Sequence, residues 1–348
     1  LNMIAQGSGL KIKYRRINPR YYILILATIS MVICLLSFVI GRYPIGLTTV
    51  VGAFLSKVLS IKKTWPDTIE VILFKIRLPR ILGAMLIGSS LSLAGAVYQG
   101  MFKNPLISPD ILGVSAGAAF GAVLAIYCSF NIITIQIFAF GFGILAVMFV
   151  YVLSSNIRGD PLTSLVIMGI LISSIFTSLT SLIKYLADVN DKLPIITFWL
   201  MGSLSGMRFK DVGPITIPIT VGIVTLYILR WRLNVLSLNE DEAKTLGLDT
   251  KLLRITVIIC STLITAASVS ISGIIAWIGL VIPHFSRILV GPDYRLLIPV
   301  TIILGSSYLL LIDNIARSLT AIEIPLGILT SLVGAPFFIA LLLKKGRG

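Results

Sequence analysis

The sequence predicts an all-α membrane protein, a single polytopic bundle of about ten transmembrane helices. Three observations carry that reading. Of 348 residues, 57% are hydrophobic, about 198 positions, and only 12% are charged, with a mean hydropathy of +1.01. Soluble domains hold about 45–50% apolar and about 25% charged residues, so a water-soluble fold is excluded. Apolar stretches of the ~20 residues needed to cross ~30 Å of hydrocarbon recur along the whole chain. Finally, basic residues gather at both ends, as the positive-inside rule requires of cytoplasmic termini.

The elements follow in order. Residues 1–20 form a cytoplasmic segment carrying Lys11, Lys13, Arg15, Arg16 and Arg20. Its polar opening to Gly9 is left out of the fold reading, as an expected extension before a candidate natural start at Met3. The first apolar run is long enough to span and has no small-residue cleavage site, so it reads as a retained helix. Apolar runs fall at about 21–41, 79–100, 111–129, 132–155, 161–186, 213–231, 252–270, 274–290, 296–312 and 325–343. A single transmembrane domain over 21–343 and a tail at 344–348 with Lys344, Lys345 and Arg347 complete the chain. An eleventh patch, 193–206, is too short to span and carries Trp199. It is expected as an interfacial or re-entrant helix. Two cytoplasmic ends demand an even number of crossings, which favours ten.

The net charge of +15 divides under that topology into +10 on the cytoplasmic side and +5 outside. It therefore reports orientation and membrane-surface contact with lipid, not a nucleic-acid partner. Cys34, Cys128 and Cys260 lie apart in apolar segments and read as buried thiols.

Small residues recur every four positions on the second span, at Ala84, Gly88, Ser92, Ala96 and Gly100, and on the third, at Gly113, Gly117, Gly121 and Ala125. That spacing puts each set on one helical face, where small side chains let membrane helices approach closely. The fifth span carries Gly169, Ser173, Thr177 and Ser181. For this hydroxyl stripe two readings stand, helix packing and the lining of a water-filled path. Pro283 and Pro336 fall inside spans and each permits a kink, which serves a gate or is merely tolerated. His284 has no Cys, His or carboxylate at ligand spacing, so a hydrogen-bonding role is expected and a metal site is not.

The most informative hydrophilic stretch, LNVLSLNEDEAKTLGLDTKLLR, holds Asn239 and Glu242 at capping-box spacing, places Glu240 and Asp241 in the first turn, and supplies a C-terminal stop at Gly247. A short cytoplasmic helix over 239–247 results. It serves as a docking element for a partner or as a plain amphipathic surface helix.

At these residues the chain resembles the FecCD-type permease subunits of ABC importers for iron-siderophores, haem, cobalamin and related chelates. The matching stretches are RLPR (77–80), GSSLSLAGAVYQ, KNPLISPDILGVSAGA (103–118), FWLMGSL (198–204), EDEAKTLGL, SGIIAWIGLVIPHFSRILVGPDYRLLIP (272–299) and EIPLGILTSLVGAPFFIALLL (323–343). The resemblance implies a type II importer permease: a homodimer of ten-helix subunits, two cytoplasmic ATPase subunits that bind ATP and Mg, and an extracytoplasmic binding protein. No GxxxxGK[ST] loop occurs in the sequence, so no cofactor and no enzymatic step are expected of this chain.

The resemblance also implies roles for particular residues. Asn239, Glu240, Glu242, Ala243, Leu246 and Gly247 match the family's ATPase-coupling helix. Arg77, Arg80 and Arg317 match its arginines that meet acids on the binding protein, with headgroup anchoring as the alternative. The path is expected along the fifth span, with Ser173, Thr177 and Ser181, and Gln99 on or near it. The implied mechanism is alternating access driven by ATP closure of the partner subunits. Ferric siderophore is the default cargo; cobalamin, haem, molybdate and tungstate stay open. The rival, an ion-coupled carrier, requires an intramembrane relay of acids or histidines, whereas Asp313 and Glu323 fall near span ends.

Overall fold

A computed structural model describes residues 19–57, 59, 63–237 and 249–345. Among the described residues there is no β-strand. The helices are α1 (Pro19–Val39), α2 (Leu47–Leu55), α3 (Asp67–Met101), α4 (Val114–Tyr127), α5 (Ile132–Ser155), α6 (Pro161–Leu186), α7 (Lys192–Leu200), α8 (Phe209–Ile228), α9 (Thr250–Ser272), α10 (Ile278–Val290), α11 (Tyr294–Ser318) and α12 (Leu326–Lys345). Seven of these are long and apolar enough to cross a membrane. Three shorter apolar helices, α4, α10 and part of α12, bring the set to ten. The protein is a multi-pass membrane protein.

Local chemistry sets the ends. Asn131, Asp160 and Asp249 each accept a hydrogen bond from the backbone N–H three residues on, and Pro161 follows its cap at the first helical position. Gly273 and Gly291, at φ +67° and +81°, terminate α9 and α10.

The core is α3. The apolar window of this 35-residue helix is 83% buried, whereas that of α1 is 17% buried. Helices α9, α10 and α11 pack around α3. Its partner α11 runs antiparallel: Arg80 meets Asp313, Gly88 meets Gly305, and Ala96 meets Tyr294. The small-residue stripe of the second span is therefore packing. A Cβ on Gly88 would stand 2.2 Å from the Gly305 carbonyl oxygen, and one on Gly305 would stand 2.1 Å from Ser92 Oγ. Gly117 and Gly121 do the same for α4 against the Phe142 and Phe138 carbonyls of α5.

The structure corrects several expectations. Gly113 is no member of that stripe. It has φ +82° and joins the Pro109–Leu112 3₁₀ turn to α4, so the third span starts at Val114 instead of residue 111. The eighth span starts at Ile278 instead of 274, because Gly273 and Trp277 (φ +71°) both leave helical conformation. Of the three free thiols only Cys260 is buried; Cys34 is half-buried and Cys128, just past the end of α4, is exposed. Two features were not anticipated: α2, on which Phe54 packs edge-on to Phe38 and Phe74 with ring centroids 5.0 Å apart, and a π-helical stretch at Val71–Arg77 that extends α3 beyond its apolar run. Helix continues through Pro283 and Pro336.

The 193–206 patch folds into the nine-residue α7, too short to cross. Its continuation hydrogen-bonds across the bundle: Ser203 N–H donates to the Ser272 carbonyl (2.7 Å), and the N–H groups of Leu326 and Gly327 donate to Gly202 and Met201 (2.8 and 3.0 Å). The break between α9 and α10, the start of α12 and the end of α7 thus satisfy one another's non-helical backbone, the condition for irregular chain at membrane depth.

Candidate transport and coupling sites

Four groups of residues bear on function. The first is the face of α6. Ser173 is half-buried beside Gly113, while Thr177 and Ser181 are exposed. The Ser181 hydroxyl donates to the Thr177 carbonyl (2.9 Å), a bond within the helix that leaves the side chain untied to neighbouring helices. Gly169 is different: a Cβ there would lie 2.0 Å from the Ile111 carbonyl oxygen. The stripe divides into a packed end at Gly169 and an open hydroxyl end.

Gln99 does not join that face. It is 3% exposed, its amide donates to the Gly279 carbonyl (3.3 Å), and its Oε1 accepts from Arg287. Arg287 also donates to the Ala96 carbonyl (3.3 Å), as does the Tyr294 hydroxyl (2.9 Å). Gln99 is a tie between α3 and α10 in the interior of the chain. His284 is half-buried on α10, next to the buried Pro283.

The third group is the arginine cluster, and here the sequence reading changes most. Arg77, Arg80 and Arg317 are 4%, 7% and 5% exposed. Arg80 Nε donates to both carboxylate oxygens of Asp313 (2.9 and 3.1 Å), and Nη1 reaches Glu323 Oε1 (2.9 Å). Arg317 Nε lies 3.8 Å from Asp313 Oδ2, and its Nη2 donates to Asn314 and to the Ser37 carbonyl at the end of α1. Asn314 in turn donates to Ser37 Oγ (2.7 Å). Arg77 donates to the carbonyls of Phe38, Val39 and Tyr43, satisfying the orphan C-terminal acceptors of α1. In this structure no guanidinium of the three is presented outward. The cluster instead braces α1, α3, α11 and the chain before α12. Asp313 and Glu323 are the partners that sequence reasoning did not assign; the i, i+4 spacing of Asp313 and Arg317 was the available signal.

The fourth group, Asn239, Glu240, Glu242, Ala243, Leu246 and Gly247, lies outside the described residues. The flanks are placed: α8 ends at Ile228, a short helix Arg230–Leu233 and a 3₁₀ turn Val235–Ser237 follow it, and α9 begins at Thr250.

Comparison with known proteins decides the family. The profile of the FecCD transport family matches residues 28–344, nearly the entire chain. The chain belongs to the FecCD transport family. Relatives of this FecCD chain include the molybdate import system permease protein MolB of Haemophilus influenzae, 42% identical over 326 residues, covering 93% of this chain and 95% of the relative. The cobalamin import system permease protein BtuC of Halobacterium salinarum is 39% identical over 278 residues, covering 80% and 74%. Among solved structures, an inward-facing conformation of a metal-chelate type ABC transporter superposes on the FecCD chain with a TM-score of 0.84 at 39% identity, covering 93% of this chain and 99% of that one.

Proposed function

We propose that the chain is the membrane-spanning subunit of an ATP-driven importer that accepts a metal chelate or metal oxyanion outside the cell and releases it inside. The observation that carries this is the match over 93% of this chain to a molybdate import permease and to an ABC transporter structure, and over 80% of it to a cobalamin import permease. The sequence supports the same division of labour, since it contains no phosphate-binding loop. ATP binding and hydrolysis belong to two partner subunits, and cargo affinity belongs to a binding protein.

In this reading two copies of the chain enclose the path, with the open hydroxyl end of α6 lining it. Hydroxyls without a charge hold a hydrated solute weakly, which suits release. The 239–247 segment transmits ATPase closure to α8 and α9, which flank it. Both chain termini lie in the cytoplasm, on the inner side of the cell membrane. The binding protein docks at the end of the bundle where α1 ends and α3 begins. Arg77, Arg80 and Arg317 take part there as internal braces of the rim, because their burial leaves the direct contacts to other residues.

The test is reconstitution in liposomes with the ATPase and binding protein encoded for the same system, using labelled molybdate, a ferric siderophore and cobalamin as probes. ATP-dependent accumulation of one of them is expected. Uptake driven by an ion gradient without any ATPase would refute the reading.

A further inference from the structure

Between α8 and the 239–247 segment stand the short helix Arg230–Leu233 and the 3₁₀ turn Val235–Ser237. Asn234 joins the two, and its side chain makes two hydrogen bonds to the start of α11. Its Nδ2 donates to Asp293 Oδ1 (2.8 Å), and its Oδ1 accepts from the Tyr294 N–H (2.9 Å). The partners lie 59 and 60 positions away in the chain. Apolar contacts hold the same joint: Leu233 and Leu236 are 1% and 6% exposed, in one core with Tyr98 and Met101 of α3 and Tyr294 and Leu297 of α11.

Capping α11 does not require Asn234. Asp293 is already the N-cap: its Oδ1 accepts from the Arg295 N–H (2.9 Å), and its carbonyl accepts from the Leu296 and Leu297 N–H groups (3.0 and 2.8 Å). On the far side of the 239–247 segment the chain is capped locally, since Asp249 accepts from Leu252 N–H (3.0 Å) within its own helix α9. The reach of Asn234 to another element therefore serves something beyond helix termination.

We propose that Asn234 is a positioning residue for transport: it clamps the chain entering the 239–247 segment to the first turn of α11, so that a displacement of that segment moves α11 and α3 together. This deepens the reading of 239–247 as the ATPase-coupling segment and rests on it. The end of α11 that receives the clamp is tied to α3 through the Tyr294 hydroxyl, which donates to the Ala96 carbonyl (2.9 Å). The two helices stay in contact through Gly88 and Gly305 to Arg80 and Asp313 at the opposite end. Close-packed interiors transmit strain, and a joint held by two hydrogen bonds and buried leucines passes on a movement that a solvated loop absorbs. Asparagine suits the task because its amide supplies a donor and an acceptor together. An aspartate of the same shape has no donor and sets a second carboxylate against Asp293.

The test uses the whole transporter, this chain with the ATPase of the same system, in a background where Cys34, Cys128 and Cys260 are serine. Nitroxide labels are placed through Arg158→Cys and Leu311→Cys, both at exposed positions away from the clamp. The distance between them is measured by double electron–electron resonance before and after trapping with ATP and vanadate. Wild type is expected to show a shift on trapping. Asn234→Asp and the milder Asn234→Ala are expected to lose it while the ATPase still co-purifies. Asn234→Asp/Asp293→Asn, which restores an amide–carboxylate pair with the roles exchanged, is expected to regain it. A shift of wild-type size in both single variants overturns the clamp. Loss that the exchange fails to restore, with a lowered melting temperature, marks a purely structural brace and overturns it as well. No shift in wild type, with the ATPase bound and turning over, overturns the coupling reading itself and this inference with it, so the wild-type trace tells the two failures apart.

Discussion

Arg80 on α3 and Asp313 on α11, 233 positions apart in the chain, form a bidentate pair at 2.9 and 3.1 Å in which the Asp313 side chain is fully buried. Asp313 also faces Arg317, so one carboxylate answers two buried guanidinia. Removing one partner of a buried pair strands the other charge, at a cost of about 3–5 kcal/mol. Asp313→Asn is accordingly expected to lower thermal stability in detergent sharply. Glu323→Gln, whose partner contact is more exposed, is expected to cost less. A melting temperature for Asp313→Asn equal to wild type contradicts the brace.

The contact of Gly88 with Gly305 makes a second prediction. Gly88→Ala forces a Cβ to within 2.2 Å of a backbone oxygen, and overpacking of this kind costs about 1–3 kcal/mol or more. At Gly141, on α5, an added Cβ would meet nothing within 4 Å, so Gly141→Ala is expected to be neutral or slightly stabilising. Comparing the two variants by unfolding in detergent checks this, and equal stability of both refutes the close-packing account.

Asp160 provides a pH-dependent case outside the spans. The Thr163 hydroxyl, and then its backbone N–H, hold the Asp160 carboxyl below its ordinary range. Because the folded value is depressed, the cap contributes fully above the unfolded value near ~3.9 and is lost as pH falls through the folded one. Asp160→Ala is expected to cost about 1 kcal/mol at neutral pH, and the gap from wild type should close in strong acid. A gap that stays constant into strong acid contradicts this.

For the coupling proposal, Glu240→Lys and Gly247→Leu are expected to abolish co-purification of the ATPase partner or uncouple its turnover from transport, while the membrane domain melts as wild type. Retained co-purification together with normal transport in both variants refutes the assignment.

The path along α6 is testable by chemistry on single cysteines, in a background where Cys34, Cys128 and Cys260 are replaced by serine. Thr177→Cys and Ser181→Cys are expected to react with a membrane-impermeant maleimide several-fold faster than Ile175→Cys on the same helix. Equal, slow labelling at all three places the stripe in lipid or in a dry interface.

The bundle was legible in the sequence because lipid imposes a simple rule: each crossing must be a long apolar helix that satisfies its own backbone. The apolar runs of α5 and α6 match their helices end to end, at 132–155 and 161–186. Boundaries failed where left-handed residues interrupt an apolar run, at Gly113 and at Gly273 and Trp277. Hydropathy is blind to φ. The α2 helix was missed because nine residues are too few to register as a span.

Of the candidate sites, composition and spacing by themselves determined the small-residue face of α3 and the hydroxyl face of α6, and the Lys and Arg distribution supplied an expected orientation. These depend on helical periodicity and on charge count, both written locally along the chain. Only the tertiary structure decided that Arg77, Arg80 and Arg317 turn inward and that Gln99 ties α3 to α10. A long polar side chain has the same sequence signature whether it reaches solvent, a partner or a carboxylate on another helix. Its direction is settled by which buried acceptor lies within about 3 Å once the helices have packed, and for Arg80 that acceptor is Asp313.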